Sequence, residues 1–261
     1  MDHIKKVYDK KICIPDNLKP HIENRKIIYF DIETTGLNPE FSKIILLGAS
    51  YVENNKYIVE QFFADRLDEE ELILKDFIKV LERFDMVVTY NGKNFDVPFV
   101  NKRIEKYSIG YSIMHEHLDL ICHIRPNKQI LGLTSCSLKS VEKYLNIRRN
   151  DTIDGGESIN LYYQYLRTGD STIKEKILLH NFEDVYNLPD IVKVFNNIEY
   201  RDYNRKITPK QRAFLSYLIR KHKYLLKRDI DLLTKEEASK LIDFILNGKD
   251  CDHEVYLEKM Q

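Results

Sequence analysis

Between residues 26 and 64 the apolar positions fall into short continuous runs, as buried strands show, and from residue 68 the spacing changes to that of a helix. The segments KIIYFDIETTGL (26–37), KIILLGASYVE (43–53) and KYIVEQFFA (56–64) predict three successive strands. Gly36, Asn38 and Pro39 break the chain after the first. Asn54-Asn55, tolerant of positive φ, joins the other two in a tight hairpin. In DEEELILKDFIKVLERF (68–84), Leu72, Phe77, Val80, Leu81 and Phe84 recur at helical spacing behind an acidic first turn, which favours a helix N-terminus. A short strand at 86–90, a helix at 95–107, a strand at 117–123 and helices around 137–145, 158–167 and 172–194 follow. A meander of three antiparallel strands followed by alternating strands and helices predicts an α/β fold, a mixed five-stranded sheet flanked by helices on both faces.

Two flanking segments break this pattern. Residues 1–24 are a polar leader with Pro15, Pro20 and no clear period, expected to wrap the surface or be partly disordered. From residue 200 a separate unit is expected. Thr208-Pro209-Lys210-Gln211 and Thr234-Lys235-Glu236-Glu237 are capping-box patterns, and Asn247-Gly248 is a helix stop, so 209–224 and 235–247 predict a helical hairpin. The resulting division is a leader (1–24), a main domain (25–199) and a basic helical C-terminal extension (200–261).

Composition narrows the class. The 261 residues, 43% hydrophobic and 31% charged, suit a soluble globular protein. No apolar run approaches the ~20 residues that span a bilayer. The first residues lack a signal-peptide core, so a cytoplasmic location without membrane association is expected. Cys13, Cys122, Cys136 and Cys251 are far apart and form no C-x-x-C pair, which points to reduced thiols. Lys plus Arg equal Asp plus Glu at 41 each, so a nucleic-acid role has to rest on local charge. One such region exists: from Arg201 to Arg228 ten Lys or Arg stand against the single acid Asp202. It reads as a nucleic-acid-binding accessory or as an amphipathic helix pair packed on the main domain.

Three places carry candidate chemistry. Asp31 and Glu33 are two residues apart on an apolar strand, so both carboxylates share one face, and a divalent cation with oxygen ligands would offset their repulsion. The alternative is a strand end emerging into solvent. In YNGKNFDVPF (90–99), Asp96 follows a strand's carboxyl end at the start of a helix, where open α/β sheets build sites, although a first-turn acid also simply suits the helix dipole. In ILLHNFEDVYNL (177–188), His180 and Asp184 are one turn apart on a helix, as site residues or as a surface pair.

Taken together, Asp-x-Glu on the first strand, Asn-x-x-x-Phe-Asp after the fourth, and a His four residues before the last Asp resemble the three motifs of the DEDD 3′-5′ exonucleases, which have the RNase H-like fold. YNGKNFDVPFVNKR, HLDLICHIR, SLKSVEKYL, DGGESINLYYQYLRTGD and LHNFEDVYNL resemble more narrowly the YprB-like group of predicted exonucleases. The resemblance covers about residues 26–194 and implies phosphodiester hydrolysis by a two-metal mechanism, with Asp31, Glu33, Asp96 and Asp184 holding two Mg²⁺ or Mn²⁺ ions. It implies that His180 is the general base or orients the attacking water. The histidine subclass places its His five residues before the last Asp and the tyrosine subclass its Tyr four; here a His holds the four-residue spacing. The implied partner is nucleic acid, DNA or RNA, chiefly a single-stranded 3′ end. Asn91, Gly92, Thr34, Phe95 and Arg103 are expected at the substrate, as sugar, base or phosphate contacts. Arg125, Arg148 and Arg149 are further phosphate candidates, and Asp119 either touches the site or caps local structure. An endonuclease, or a nuclease fold kept only for binding nucleic acid or a protein partner, are the alternatives.

Overall fold

A computed structural model describes residues 1–153, 155–198, 207–227, 230, 233–248 and 257–259. Contacts divide the chain into Met1–Tyr200 and Arg201–Gln261.

The first unit is built on a mixed six-stranded sheet of order β1-β4-β3-β2-β5-β6. Strands β2 (Ile27–Thr34), β3 (Ile44–Glu53) and β4 (Lys56–Phe63) form the expected antiparallel meander. Asn54 and Asn55, at φ of 51° and 59°, make the left-handed turn that the hairpin needs. Strands β5 (Met86–Thr89) and β6 (Glu116–Asp119) add in parallel beside β2. The sixth strand corrects the reading of the leader. Residues Asp2–Tyr8 form β1, which pairs antiparallel with β4 along its whole length. Its polar side chains fit an edge strand with one solvated face, which conceals it from a search for apolar alternation. The last strand is also shorter than expected, because Asp119 caps a helix that begins at Leu120.

Helices cover both faces. On one, α2 (Glu70–Leu81) and α3 (Asp96–Lys106) bury Phe77, Leu74, Phe99 and Ile104 against Ile28, Phe30 and Ile32 of β2. On the other lie α5 (Leu138–Tyr144), α6 (Gly155–Thr168) and α7 (Ser171–Ile191), and the short α1 (Lys19–Ile22) and α4 (Leu120–Ile124) join the core on that face. Tyr29 of β2 points to this second face and meets Leu188, Ile191 and Phe195. Pro189 fixes α7 on the sheet. A proline has no N–H for the carbonyl four residues back. The Val185 carbonyl instead accepts from Ser50 Oγ of β3 at 2.6 Å and Tyr57 Oη of β4 at 3.1 Å. The preceding turns of α7 are thereby held over β2.

The second unit has α8 (Pro209–Lys221) and α9 (Lys235–Asn247), each opened by the expected capping box, with Gly248 at φ 65° closing α9. Strands β7 (Tyr224–Leu226) and β8 (Leu257–Lys259) form an antiparallel ladder where helix was expected to run on to 224. Leu215, Leu233, Ala238, Leu241 and Leu257 are its core. Arg201, Asp202, Arg205, Lys206 and Arg228 of the basic stripe, Cys251 and Asp154 lie outside the described residues.

Candidate active site

The site starts from β2. Alternation sends Phe30 and Ile32 into the α2–α3 core and Asp31 and Glu33 to the face under α7. Glu33 is buried, and its Oε2 accepts from Ser158 Oγ of α6 at 2.5 Å. The pairing of β5 with β2 ends at Tyr29, so the Ile32 N–H further along finds another acceptor, Asp96 Oδ1 at 3.1 Å. That bond draws the first residue of α3 to β2.

The turn before α3 is held by Asp119. Its Oδ1 and Oδ2 accept from the backbone N–H groups of Asn91 (2.7 Å) and Lys93 (3.0 Å), and Oδ1 also caps Ile121. Asp119 therefore fills the capping role. Gly92 donates its N–H to Thr89 Oγ1, and a Cβ there would lie 2.3 Å from that oxygen, so only glycine fits. Asn91 sits at φ 70°, half-buried, with its Oδ1 accepting from Asn94. Thr34 is buried and donates to the Gly36 carbonyl, and Phe95 packs on Phe99 beside the core. The Gly92 N–H is taken by Thr89, and one expected substrate contact, Arg103, is corrected. Arg103 is 1% exposed, its guanidinium forked onto Glu70 at 2.7 and 2.5 Å and bonded to the Pro39 carbonyl, so it has no surface to offer a phosphate.

Helix α7 brings His180 and Asp184. His180 Nε2 faces Glu33 Oε1 at 3.4 Å and Asp184 Oδ2 at 3.8 Å. Its Nδ1 lies 2.8 Å from Asp151 Oδ2. Asp151 in turn is placed by Glu183, which accepts from the backbone of Asn150 and Asp151. Arg149 is turned inward: its Nη1 bonds Asp184 Oδ1 at 2.5 Å and both Glu142 oxygens at 3.0 Å, and its Nη2 bonds Asp151.

Crowding of these acids sets their electrostatics. Burial first, then the charges of Asp96, Asp184 and Glu33, push Asp31 well above the usual carboxylate range. Burial raises Glu33 to about 7 although His180 and Ser158 oppose it, and raises Asp96 to about 7 against the N–H bonds it accepts. Burial also raises Asp184, with His180 and Arg149 opposing. Burial alone would lower His180, but Asp184, Glu33 and Asp151 together outweigh it and raise its pKa. Among the described residues no salt bridge reaches Asp31 or Asp96. One ligand atom each from Glu33, His180 and Asp184 lie within 4.8 Å of one another, a group that could hold a metal ion. A buried, carboxylate-rich set short of positive charge fits a hard divalent cation.

Asp151, Ser158, Asn181 and Glu183 join the site without having been singled out for it by sequence, and Arg149, a phosphate candidate, joins it through its bonds to Asp184 and Asp151. Asn181 (0% exposed) and Glu183 (6%) are buried in the middle of α7, a helix with so many other polar positions that the sequence pattern does not separate them.

Residues 28–196 match the family model of the RNase H superfamily. The PolC-type DNA polymerase III of Ureaplasma parvum is 35% identical over 115 residues, 34% of this chain and 8% of the polymerase. The uncharacterized protein YprB of Bacillus subtilis is 30% identical over 166 residues, 62% of this chain and 40% of YprB. The family B DNA polymerase of Pyrobaculum calidifontis shares the fold with a TM-score of 0.55 at 16% identity, over 66% of this chain and 24% of the polymerase. The chain thus spans less than half the length of these relatives. With a matched segment that contains β2 to β6, α7 and every acid of the site, the chain belongs to the RNase H superfamily.

Proposed function

We propose that the protein is a metal-dependent 3′-5′ exonuclease that hydrolyses phosphodiester bonds of DNA or RNA. The observation that carries this reading is the convergence of Asp31, Glu33, Asp96 and Asp184 from β2, α3 and α7, with Glu33 and Asp184 beside His180 and no salt bridge on Asp31 or Asp96 among the described residues. The four carboxylates would hold two Mg²⁺ or Mn²⁺ ions. When bound, such ions stabilise charge on the attacking and leaving oxygens of an in-line displacement. His180 donates from Nδ1 to Asp151, which leaves Nε2 to accept the proton of the attacking water once Glu33 and Asp184 are neutralised. The 3′-5′ polarity follows the motif resemblance to the DEDD exonucleases.

A groove of about 480 Å³, lined by Lys139, Lys143 and Arg148 together with Glu142, opens beside the site and shares Arg149 and Asp151 with it. It would seat the phosphates of a single strand as it enters. The 200–261 unit, with Lys210, Arg212, Arg220 and Lys221 on α8, would add non-specific affinity.

A second reading, a nuclease fold kept for binding alone, is favoured by the Arg149–Asp184 pair, in which a guanidinium already occupies a proposed ligand. A labelled single strand incubated with Mn²⁺ separates the two. The nuclease reading expects shortening from the 3′ end by wild type and none by Asp31→Ala or Asp184→Ala; no shortening by wild type, or equal shortening by all three, leaves the binding reading.

A further inference from the structure

Asp31, Gly48 and Gln61 are direct cross-strand partners on β2, β3 and β4, so they form one row across the sheet on the face under α7. The middle member has no side chain, and Asn181 of α7 fills the slot so left. A Cβ on residue 48 would lie 2.1 Å from Asn181 Oδ1, which makes glycine a condition of the arrangement. Asn181 is fully buried and reaches both ends of the row. Its Oδ1 accepts from Gln61 Nε2 at 3.0 Å, and its Nδ2 points to Asp31 Oδ2 at 3.1 Å and to the Asp31 carbonyl at 3.3 Å.

The polarity of this chain of amides is fixed at its far end. Gln61 Nε2 also donates to the Leu178 carbonyl at 2.9 Å. A carbonyl can only accept, so Gln61 must present its NH₂ group here. Asn181 must then turn its oxygen to Gln61 and its NH₂ to Asp31. The Asp31 carboxylate therefore receives an N–H whose direction is set two residues away, in a dry environment where a wrongly oriented amide would be costly.

We propose that Asn181 and Gln61 are positioning residues that hold the Asp31 carboxylate in its metal-binding orientation, through a slot that Gly48 keeps open. The inference rests on the reading of Asp31 as a metal ligand. Groups that orient a ligating carboxylate typically change metal affinity by roughly 10- to 100-fold when removed.

The test is Mn²⁺ affinity by isothermal titration calorimetry on the full chain, with circular dichroism of the metal-free proteins beside it. Asn181→Leu removes the donor to Asp31. Gln61→Glu keeps size and shape but turns the far end into an acceptor, so the Asn181 amide is driven to flip its oxygen towards Asp31. Both variants are expected to bind Mn²⁺ roughly 10- to 100-fold more weakly than wild type. Gln61→Glu is the decisive one, because a residue of merely structural importance two steps from the ion would not move its affinity. Wild-type affinity in folded Gln61→Glu or Asn181→Leu overturns the proposal alone. Failure of the wild type to bind Mn²⁺ overturns both the proposal and the metal reading beneath it.

Discussion

The Nδ1 of His180 lies 2.8 Å from Oδ2 of Asp151, and that one bond points Nε2 at Glu33 and Asp184. A histidine that holds a proton on one nitrogen for a carboxylate presents the other as an acceptor.

Asp151→Asn keeps the side-chain shape but removes the charge. The pKa of His180, raised in part by Asp151, is expected to fall, and turnover in Mn²⁺ to drop by roughly 10- to 100-fold, the usual cost of losing a group that orients a site histidine. The imidazole titration followed by NMR, alongside turnover on a labelled strand, checks this; a His180 titration that does not move would refute the assignment.

The acids of the site also set a pH dependence. Glu33 and Asp96 titrate near 7 in the native protein, above their ordinary values. The native state therefore holds protons that the unfolded chain releases near pH 4, so this contribution is complete below that pH and is lost as pH rises through about 7. Without added metal, thermal unfolding is expected at lower temperature at pH 8 than at pH 6, and Mn²⁺ is expected to reverse the difference by binding the native state. Asp96→Asn should flatten the metal-free profile. A profile that rises with pH in the absence of metal would contradict the shifts.

Arg103 bears on stability instead of substrate. Its fork to buried Glu70 leaves an uncompensated charge if one partner goes, so Arg103→Ala is expected to cost about 3–5 kcal/mol in urea unfolding. At temperatures where the variant is folded, its affinity for a single strand should match wild type. Weaker binding by the folded variant would return Arg103 to the substrate.

For the groove, charge reversal is the direct probe. Lys143→Glu with Arg148→Glu is expected to weaken binding of a long single-stranded oligonucleotide and to reduce its salt slope by about 1.4, at ~0.7 per phosphate lost. Fluorescence anisotropy over a range of salt measures both. Hydrolysis of a dinucleotide, too short to lie along the groove, should be unchanged, and a salt slope equal to wild type would remove the groove from the substrate path.

The parts of the molecule legible in the sequence are those whose pattern is local. Asp31 and Glu33 share a face by strand alternation, and His180 and Asp184 by helical spacing, so each pair could be placed before any tertiary contact was known. Residues whose setting depends on distant partners were opaque. Arg103 looks like any surface arginine until Glu70, 33 positions away, is folded against it. Asp151 sits in a loop without period, and the Glu183 clamp and Arg149, neither visible as partners in the sequence, carry it to His180. Strand β1 was missed because its lysines face solvent and its register is dictated by β4. Asn181 could not be told from a solvated polar residue on α7, since the space it fills exists only after β3 has taken its register.

Residues 48 and 181 are consequently linked in what substitutions they tolerate. A descendant of this chain that acquires alanine at 48 has to give up asparagine at 181, and one that loses the asparagine is released from glycine. Glycine at 48 should therefore be lost only with or after asparagine at 181, and a chain without that asparagine would mark a lineage in which Asp31 is held by other means.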